Sequence, residues 1–247
     1  MTRRLQTWII SHMGFSFRRY LLSVLSCREC AVTQSEWKRL RFSYAQHGED
    51  IIAEALLPEA RGFYVEVGAF HPVSISNTYL FYRKGWRGIV IDPAPHVARL
   101  FQRRRPEDTM LTCAVGEQEA VCPFDIMPAG ETNRLSATRT VDRSSAQPLY
   151  SIHVPCRRLA SLLDKHLGTG QTIDFLSIDA EGQDLSVLRS NDWQKYRPRV
   201  LAVEDFQPPA QSSICSFLSQ QGYRALITSK ITRFFVPAGW DQTLCPQ

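Results

Sequence analysis

The 247-residue chain is notable first for what it lacks. No stretch approaches the roughly 18 consecutive apolar residues of a membrane-spanning helix. No G-x-G-x-x-G follows any strand-like run, so the glycine fingerprint of dinucleotide-binding enzymes is missing. The seven cysteines are an odd number without framework spacing in a chain too long to need staples, which fits reduced thiols in a cytoplasmic protein. Cys27 and Cys30 form a C-x-x-C, but no second close pair completes a four-ligand zinc site. Charge of one sign is also scarce beyond the first segment. Residues 1–41 hold eight Lys and Arg against two acids, whereas the remainder holds 21 basic and 22 acidic side chains. A near-neutral body gives no footprint for nucleic acid, and none is expected as a partner.

The basic head, residues 1–41, places Leu5, Trp8, Ile9 and Met13, then Phe17, Tyr20, Leu21, Val24 and Leu25, at helical spacing. Two readings stay open for it: an amphipathic segment in weak contact with an anionic membrane surface, or a helical extension that packs on the body or frays. Val24–Cys27 faintly resembles a lipoprotein cleavage site, but the apolar run before it is too short for a signal peptide. The expected location is cytoplasmic, with a peripheral place on the inner membrane as the variant. The remainder, 42–247, is expected to be one domain.

What the chain does have is a repeated device. Gly62–Phe70 (GFYVEVGAF) is an apolar, β-branched and aromatic run that reads as a buried parallel strand, with Glu66 near its carboxyl end and Gly68 just after. Trp86–Pro93 repeats the pattern and ends in Asp92, after a helix over Asn77–Lys84. That is one βαβ unit, and an acid at the end of its second strand is where such folds hold ribose hydroxyls. Ile173–Gly182 repeats it with Asp179 and Glu181, and Pro198–Phe206 with Glu204 and Asp205. Four strands therefore end in acids, and ligands bind outside the carboxyl ends of strands in open α/β sheets. Thr109–Gly116 reads as a further strand, and Val121–Ile126 and Tyr150–Val154 as short ones. Pro128–Gln147 is polar and aperiodic and reads as a long loop, which in compact domains is often a lid. Tyr223–Ile227 and Thr232–Val236 are separated too briefly to pair other than antiparallel. The fold class expected is α/β: a Rossmann-like, mostly parallel seven-stranded sheet with a C-terminal antiparallel hairpin. Ahead of the first strand, Ser43–Asp50 is a polar stretch leading into a helical run. Either it only caps that helix, or it is a loop over the site with Gln46, His47 and Asp50 facing substrate or cofactor.

These residues, taken together, resemble the FkbM family of S-adenosylmethionine-dependent methyltransferases. The matching pieces are Ser43–Asp50 (SYAQHGED), Val65–Ala69 (VEVGA), Ser76–Thr78, Gly85–Gly88 (GWRG), Ile91–Pro93, Ile178–Gly182 (IDAEG) and Arg197-Pro198 with Glu204, in family order over about residues 43–206. The resemblance implies a class I methyltransferase that moves a methyl group from S-adenosylmethionine to a hydroxyl of a sugar, glycan or secondary metabolite. It departs from the pattern in lacking a fuller glycine run after Gly68 and in having Asp92 where Glu is commoner.

On this reading Glu66, Gly68 and Ala69 hold the methionine end of the cofactor, Asp92 the ribose, and Cys113–Val115, with Ala114 at their centre, the adenine. Asp179 and Glu181 face the reacting centre, with His47 or His71 as other candidate bases. Gln46, Asp50, Asn77 and Glu204 are placed at the acceptor. A divalent metal held by Asp179, Glu204 and Asp205 is an open option. A nucleotide-dependent oxidoreductase and a non-catalytic membrane-associated binding module remain as alternatives. Oligomeric state is not legible in the sequence.

Overall fold

A computed structural model describes residues 41–128, 133–136 and 147–240. The basic amphipathic head, the Cys27/Cys30 pair and most of the Pro128–Gln147 segment lie outside them. In chain order the elements are helix α1 (Glu49–Leu56), strand β1 (Phe63–Val67), α2 (Tyr79–Arg83), β2 (Arg87–Ile91), α3 (Pro95–Arg104), β3 (Thr109–Leu111), β4 (Ala114–Val115), β5 (Ala120–Ile126) and β6 (Arg134–Leu135). Then come β7 (Tyr150–Arg157), α4 (Leu159–His166), β8 (Phe175–Ile178), α5 (Asp184–Arg189), β9 (Val200–Glu204), α6 (Ser213–Gln220), β10 (Tyr223–Ser229) and β11 (Thr232–Pro237).

The main sheet has seven strands in the order β10-β11-β9-β8-β1-β2-β3. The run from β9 to β3 is parallel, and β11 and β10 close it antiparallel. This is the sheet and hairpin expected from the sequence. The pleat sends alternate residues to opposite layers. Val65, Val67, Ile89, Ile91, Leu176, Ile178, Leu201 and Val203 pack with Leu159, Leu163, Leu188 and Leu218 from α4, α5 and α6. Tyr64, Val90, Phe175, Ala202 and Phe234 face the other way, onto Ala53, Leu57, Phe81, Val97 and Phe101 from α1, α2 and α3. Burial on both faces explains why these strands read as continuous apolar runs.

One expectation needs correction. Thr109–Gly116 is not one strand. Thr109–Leu111 is the edge of the main sheet, and the chain then leaves it, so that Ala114–Val115 pairs with Cys156–Arg157 in a second, four-stranded sheet of order β4-β7-β5-β6. The polar segment after Pro128 also contributes structure, because Arg134–Leu135 pairs with Phe124–Asp125.

Candidate active site

Because β9, β8, β1 and β2 run parallel, their carboxyl ends share one rim. The second sheet stands beside that rim, and a cleft of about 630 Å³, open mouth included, is lined by residues from both. Val67, Gly68, Ile91, Asp92, Asp179, Ala180 and Glu181 come from the rim, Cys113, Ala114 and Val115 from β4 and its approach, and Phe124, Arg134 and Leu135 from β5 and β6.

Gly68 is the tightest point. Its N–H donates to the Ile91 carbonyl at 2.9 Å, and the next strand is tied in by the Asp179 N–H donating to the Val67 carbonyl at 3.0 Å. The Asp179 carbonyl oxygen lies 1.7 Å from where a Gly68 Cβ would stand, and φ is +81°. Only glycine fits there, and its absent side chain lets β1 and β8 close on one another at the cavity floor.

Asp92 follows β2. Its Oδ2 accepts from the Phe70 N–H at 3.0 Å and its Oδ1 from the Ala94 N–H at 2.8 Å. Burial pushes its carboxyl up to about 6 against the pull of these two bonds. A carboxylate has about four acceptor positions, so each oxygen keeps a lone pair for a ligand hydroxyl.

Asp179 follows β8 on the same wall. Burial, and then the carboxylates of Asp184, Glu181, Glu49 and Glu66, hold its carboxyl well above the ordinary range. Glu181 is a non-glycine residue at φ +49°, and Gly182 follows at φ +88°. The loop through them is fastened by Asp184, at the start of α5, whose Oδ1 accepts from the Ala180 N–H at 2.9 Å and whose Oδ2 accepts from the Gly182 N–H at 3.2 Å.

The structure thus brings Gly68, Asp92, Ala114, Asp179 and Glu181 to one cavity. The other candidates stand elsewhere. Glu66 is buried on the α1 side of the sheet, where it accepts from Thr78 Oγ1 at 2.6 Å and faces Arg105 Nη1 at 3.6 Å. It does not line the cavity. Ala69 is core, packed with Tyr64 and Phe81. Asp50, expected at the acceptor, is fully buried and engaged by Ser43 Oγ, the Tyr44 N–H and its own helix's Ile51 N–H. Asn77 donates to Ser177 Oγ at 3.0 Å, and Glu204 is buried at the end of β9. Gln46 is exposed. Neither histidine lines the cavity. His47 Nε2 meets Lys230 Nζ at 2.9 Å, so an ammonium occupies the lone pair a base would use. His71 Nδ1 accepts from the Val73 and Ser74 N–H groups. Of the suggested metal ligands, Asp205 is ion-paired to Arg233 and accepts from Ser212 Oγ. Among the described residues no group of three or more His, Cys, Asp or Glu side chains is placed to hold a metal.

Sequence reasoning missed Phe124, Arg134 and Leu135, which sit in or beside the aperiodic segment, and Asp184, whose only signal was its spacing in D-A-E-G-x-D. It also missed Arg105. This fully buried guanidinium ties Asp108, Tyr64, Thr78 and Ser76 together behind Glu66.

Residues 66–225 match the family model described as the methyltransferase FkbM domain. The chain belongs to the FkbM methyltransferase family. It is therefore an S-adenosylmethionine-dependent methyltransferase, and the oxidoreductase and non-catalytic alternatives fall away. The cavity residues Gly68, Asp92, Ala114, Asp179 and Glu181 lie within the matched FkbM region, whereas Gln46, His47 and Asp50 precede it. No curated protein matches the chain. Among solved structures, the METTL16 methyltransferase domain is similar with a TM-score of 0.44 at 11% identity, covering 83% of this chain and 71% of that one. The Burkholderia thailandensis 1,6-didemethyltoxoflavin-N1-methyltransferase, with bound 1,6-didemethyltoxoflavin and S-adenosylhomocysteine, is similar with a TM-score of 0.36 at 14% identity, covering 76% and 74%. Among the described residues no helix is long and apolar enough to cross a membrane.

Proposed function

We propose that this FkbM methyltransferase methylates a hydroxyl of a sugar, glycan or secondary metabolite, with Asp179 as the general base. The residues of the cleft fit the cofactor by their chemistry. Asp92 offers free lone pairs to the two ribose hydroxyls, Ile91, Cys113, Val115, Phe124 and Leu135 offer apolar walls to a purine, and Asp179 and Glu181 offer negative charge to a cation. When bound, S-adenosylmethionine supplies a methyl group on a positively charged sulfur, which keeps the bonding electron pair as the methyl passes to oxygen.

The protein's task is to orient the acceptor and remove its proton. An ordinary carboxylate is too weak a base for an alcohol. The observation that carries the reading is the setting of Asp179: a carboxyl on the cavity wall, withdrawn from water and backed by other acids, which make its proton affinity rise. Lys230 favours Asp179 over His47, since its ammonium already engages Nε2. A base is favoured over a metal because Asp205 is neutralised by Arg233.

The test is transfer of labelled methyl from S-adenosylmethionine to a panel of neutral sugars, glycans and hydroxylated metabolites. Asp179→Asn is expected to lower turnover by ~10²–10⁴-fold while the cofactor still binds. Full turnover in Asp179→Asn would remove the base assignment, and loss of turnover with a chelator would move the reading to a metal.

A further inference from the structure

We propose that Asp184 is a positioning residue for the proton transfer: from the first turn of α5 it locks the peptide that follows Asp179 and so aims the Asp179 carboxyl into the cleft. The proposal rests on Asp179 being the base.

An aspartate side chain is short, and its carboxyl points where the backbone around its Cα aims it. On the amino side that backbone is fixed by the sheet, since the Asp179 N–H donates to the Val67 carbonyl at 3.0 Å. On the carboxyl side the strand has already ended, at Ile178. There the peptide joining Asp179 to Ala180 is held at both of its polar ends. Its carbonyl oxygen lies against Gly68, 1.7 Å from where a Cβ would stand. Its N–H donates to Asp184 Oδ1 at 2.9 Å. A peptide unit is planar, so holding both ends fixes the rotation about the Asp179 Cα–C bond.

An acid at a helix start ordinarily serves its own helix, by capping its N–H groups or meeting its positive end. Asp184 instead commits both oxygens to the loop before the helix, because Oδ2 accepts from the Gly182 N–H at 3.2 Å. Between the two bonds the chain passes through Glu181 at φ +49° and Gly182 at φ +88°. A non-glycine residue in the left-handed region persists where its surroundings over-determine it, and Asp184 brackets Glu181 from both sides. Asp184 is buried, which pushes its carboxyl up to about 6, so at pH 8 it is ionised and both oxygens accept. Asparagine in its place would set an amide N–H against a main-chain N–H, and one of the two clamps would have to open.

The test is a double-variant cycle of the full chain at pH 8, read as transfer of labelled methyl from S-adenosylmethionine to the methyl glycosides of glucose, galactose, mannose and rhamnose. Asp184→Asn is expected to lower kcat about 10–100-fold, as a base misplaced by about an ångström would, with both KM values and the Kd for S-adenosylhomocysteine changed less than about 3-fold. Added to Asp179→Asn, the same substitution should cost under about 2-fold more, because no base is left to aim. Asp184→Glu keeps the charge and shifts both oxygens by a methylene. It should show the same split and the same lack of additivity, and it serves if Asp184→Asn does not fold. Losses that multiply in the double variant, an unchanged kcat, or S-adenosylhomocysteine binding that falls as far as kcat would each overturn the proposal and leave Asp179 as the base. Full turnover in Asp179→Asn alone would overturn the base assignment and the proposal with it. Absence of transfer by the parent chain to every glycoside would overturn the sugar-hydroxyl reading and, with it, the proposal.

Discussion

Arg105 is the side chain whose removal should be felt most widely. It is fully buried, as is Asp108, to whose Oδ2 its Nε–H donates at 2.7 Å. Nη2 donates to Tyr64 Oη at 3.0 Å and to Thr78 Oγ1 at 2.8 Å, and Nη1 faces Glu66 at 3.6 Å. Replacing it with methionine keeps much of the volume but leaves two buried carboxyls without their cation. Breaking a buried pair from one side costs about 3–5 kcal/mol. The cost should depend on pH in a definite direction. Burial already raises both Glu66 and Asp108, and Arg105 is the main group holding them down. Without it their folded values rise further above the unfolded ones, near 4. The penalty is then present at pH values above the folded pKa and is relieved as pH falls through it. Urea unfolding of Arg105→Met should show a deficit of about 3–5 kcal/mol at pH 7.5, smaller by ~1 kcal/mol or more at pH 5. Adding Glu66→Gln and Asp108→Asn should restore part of it at pH 7.5. A deficit under about 1 kcal/mol at pH 7.5, or one that does not shrink at pH 5, would refute the claim that this network is held by charge pairing.

Two further outcomes follow from the cleft. Gly68→Ala must place a methyl group on the Asp179 carbonyl and hold φ +81°, so it should destabilise the fold by about 2–5 kcal/mol, the sum of left-handed strain and overpacking, and it should weaken cofactor binding in calorimetry. Asp92, pushed up to about 6 from 3.8, is costly to the unliganded fold above that pH and relieved below it, so Asp92→Asn should erase a stabilisation of up to ~3 kcal/mol that thermal unfolding of the parent chain shows between pH 7 and pH 4. The same variant should weaken adenosine binding at pH 7.5, where the charged carboxylate would accept from the ribose.

Much of the main sheet was legible because its cause is local. Apolar β-branched runs with a glycine or acid at the end read as buried parallel strands, and two residues between Tyr223–Ser229 and Thr232–Pro237 leave only an antiparallel pairing. Of the second sheet only the strands over Val121–Ile126 and Tyr150–Val154 were legible, and not their pairing, because the other two strands are two residues long and carry no periodicity. Arg105 was hidden just after Arg103 and Arg104, in the run of three arginines at a helix end of the kind that ordinarily faces water. Which of the three turns inward is decided by Tyr64, Thr78 and Asp108, and two of these are far away in the chain.

The row of acids at the strand ends shows where a correct pattern still misassigns residues. All of them are at the rim, but the pleat decides which reach the cleft. Glu66 is the penultimate residue of β1 and Glu204 the last of β9. Both are still inside the ladder, on the same face as Tyr64 and Ala202, and so point toward the α1 layer. Asp92 and Asp179 each come one residue after their strands end at Ile91 and Ile178, free of the pleat and able to follow the loop into the cavity. A one-residue difference in where a strand stops therefore separates a structural carboxylate from a ligand-facing one, and strand ends are the part of a sequence reading with the least local signal.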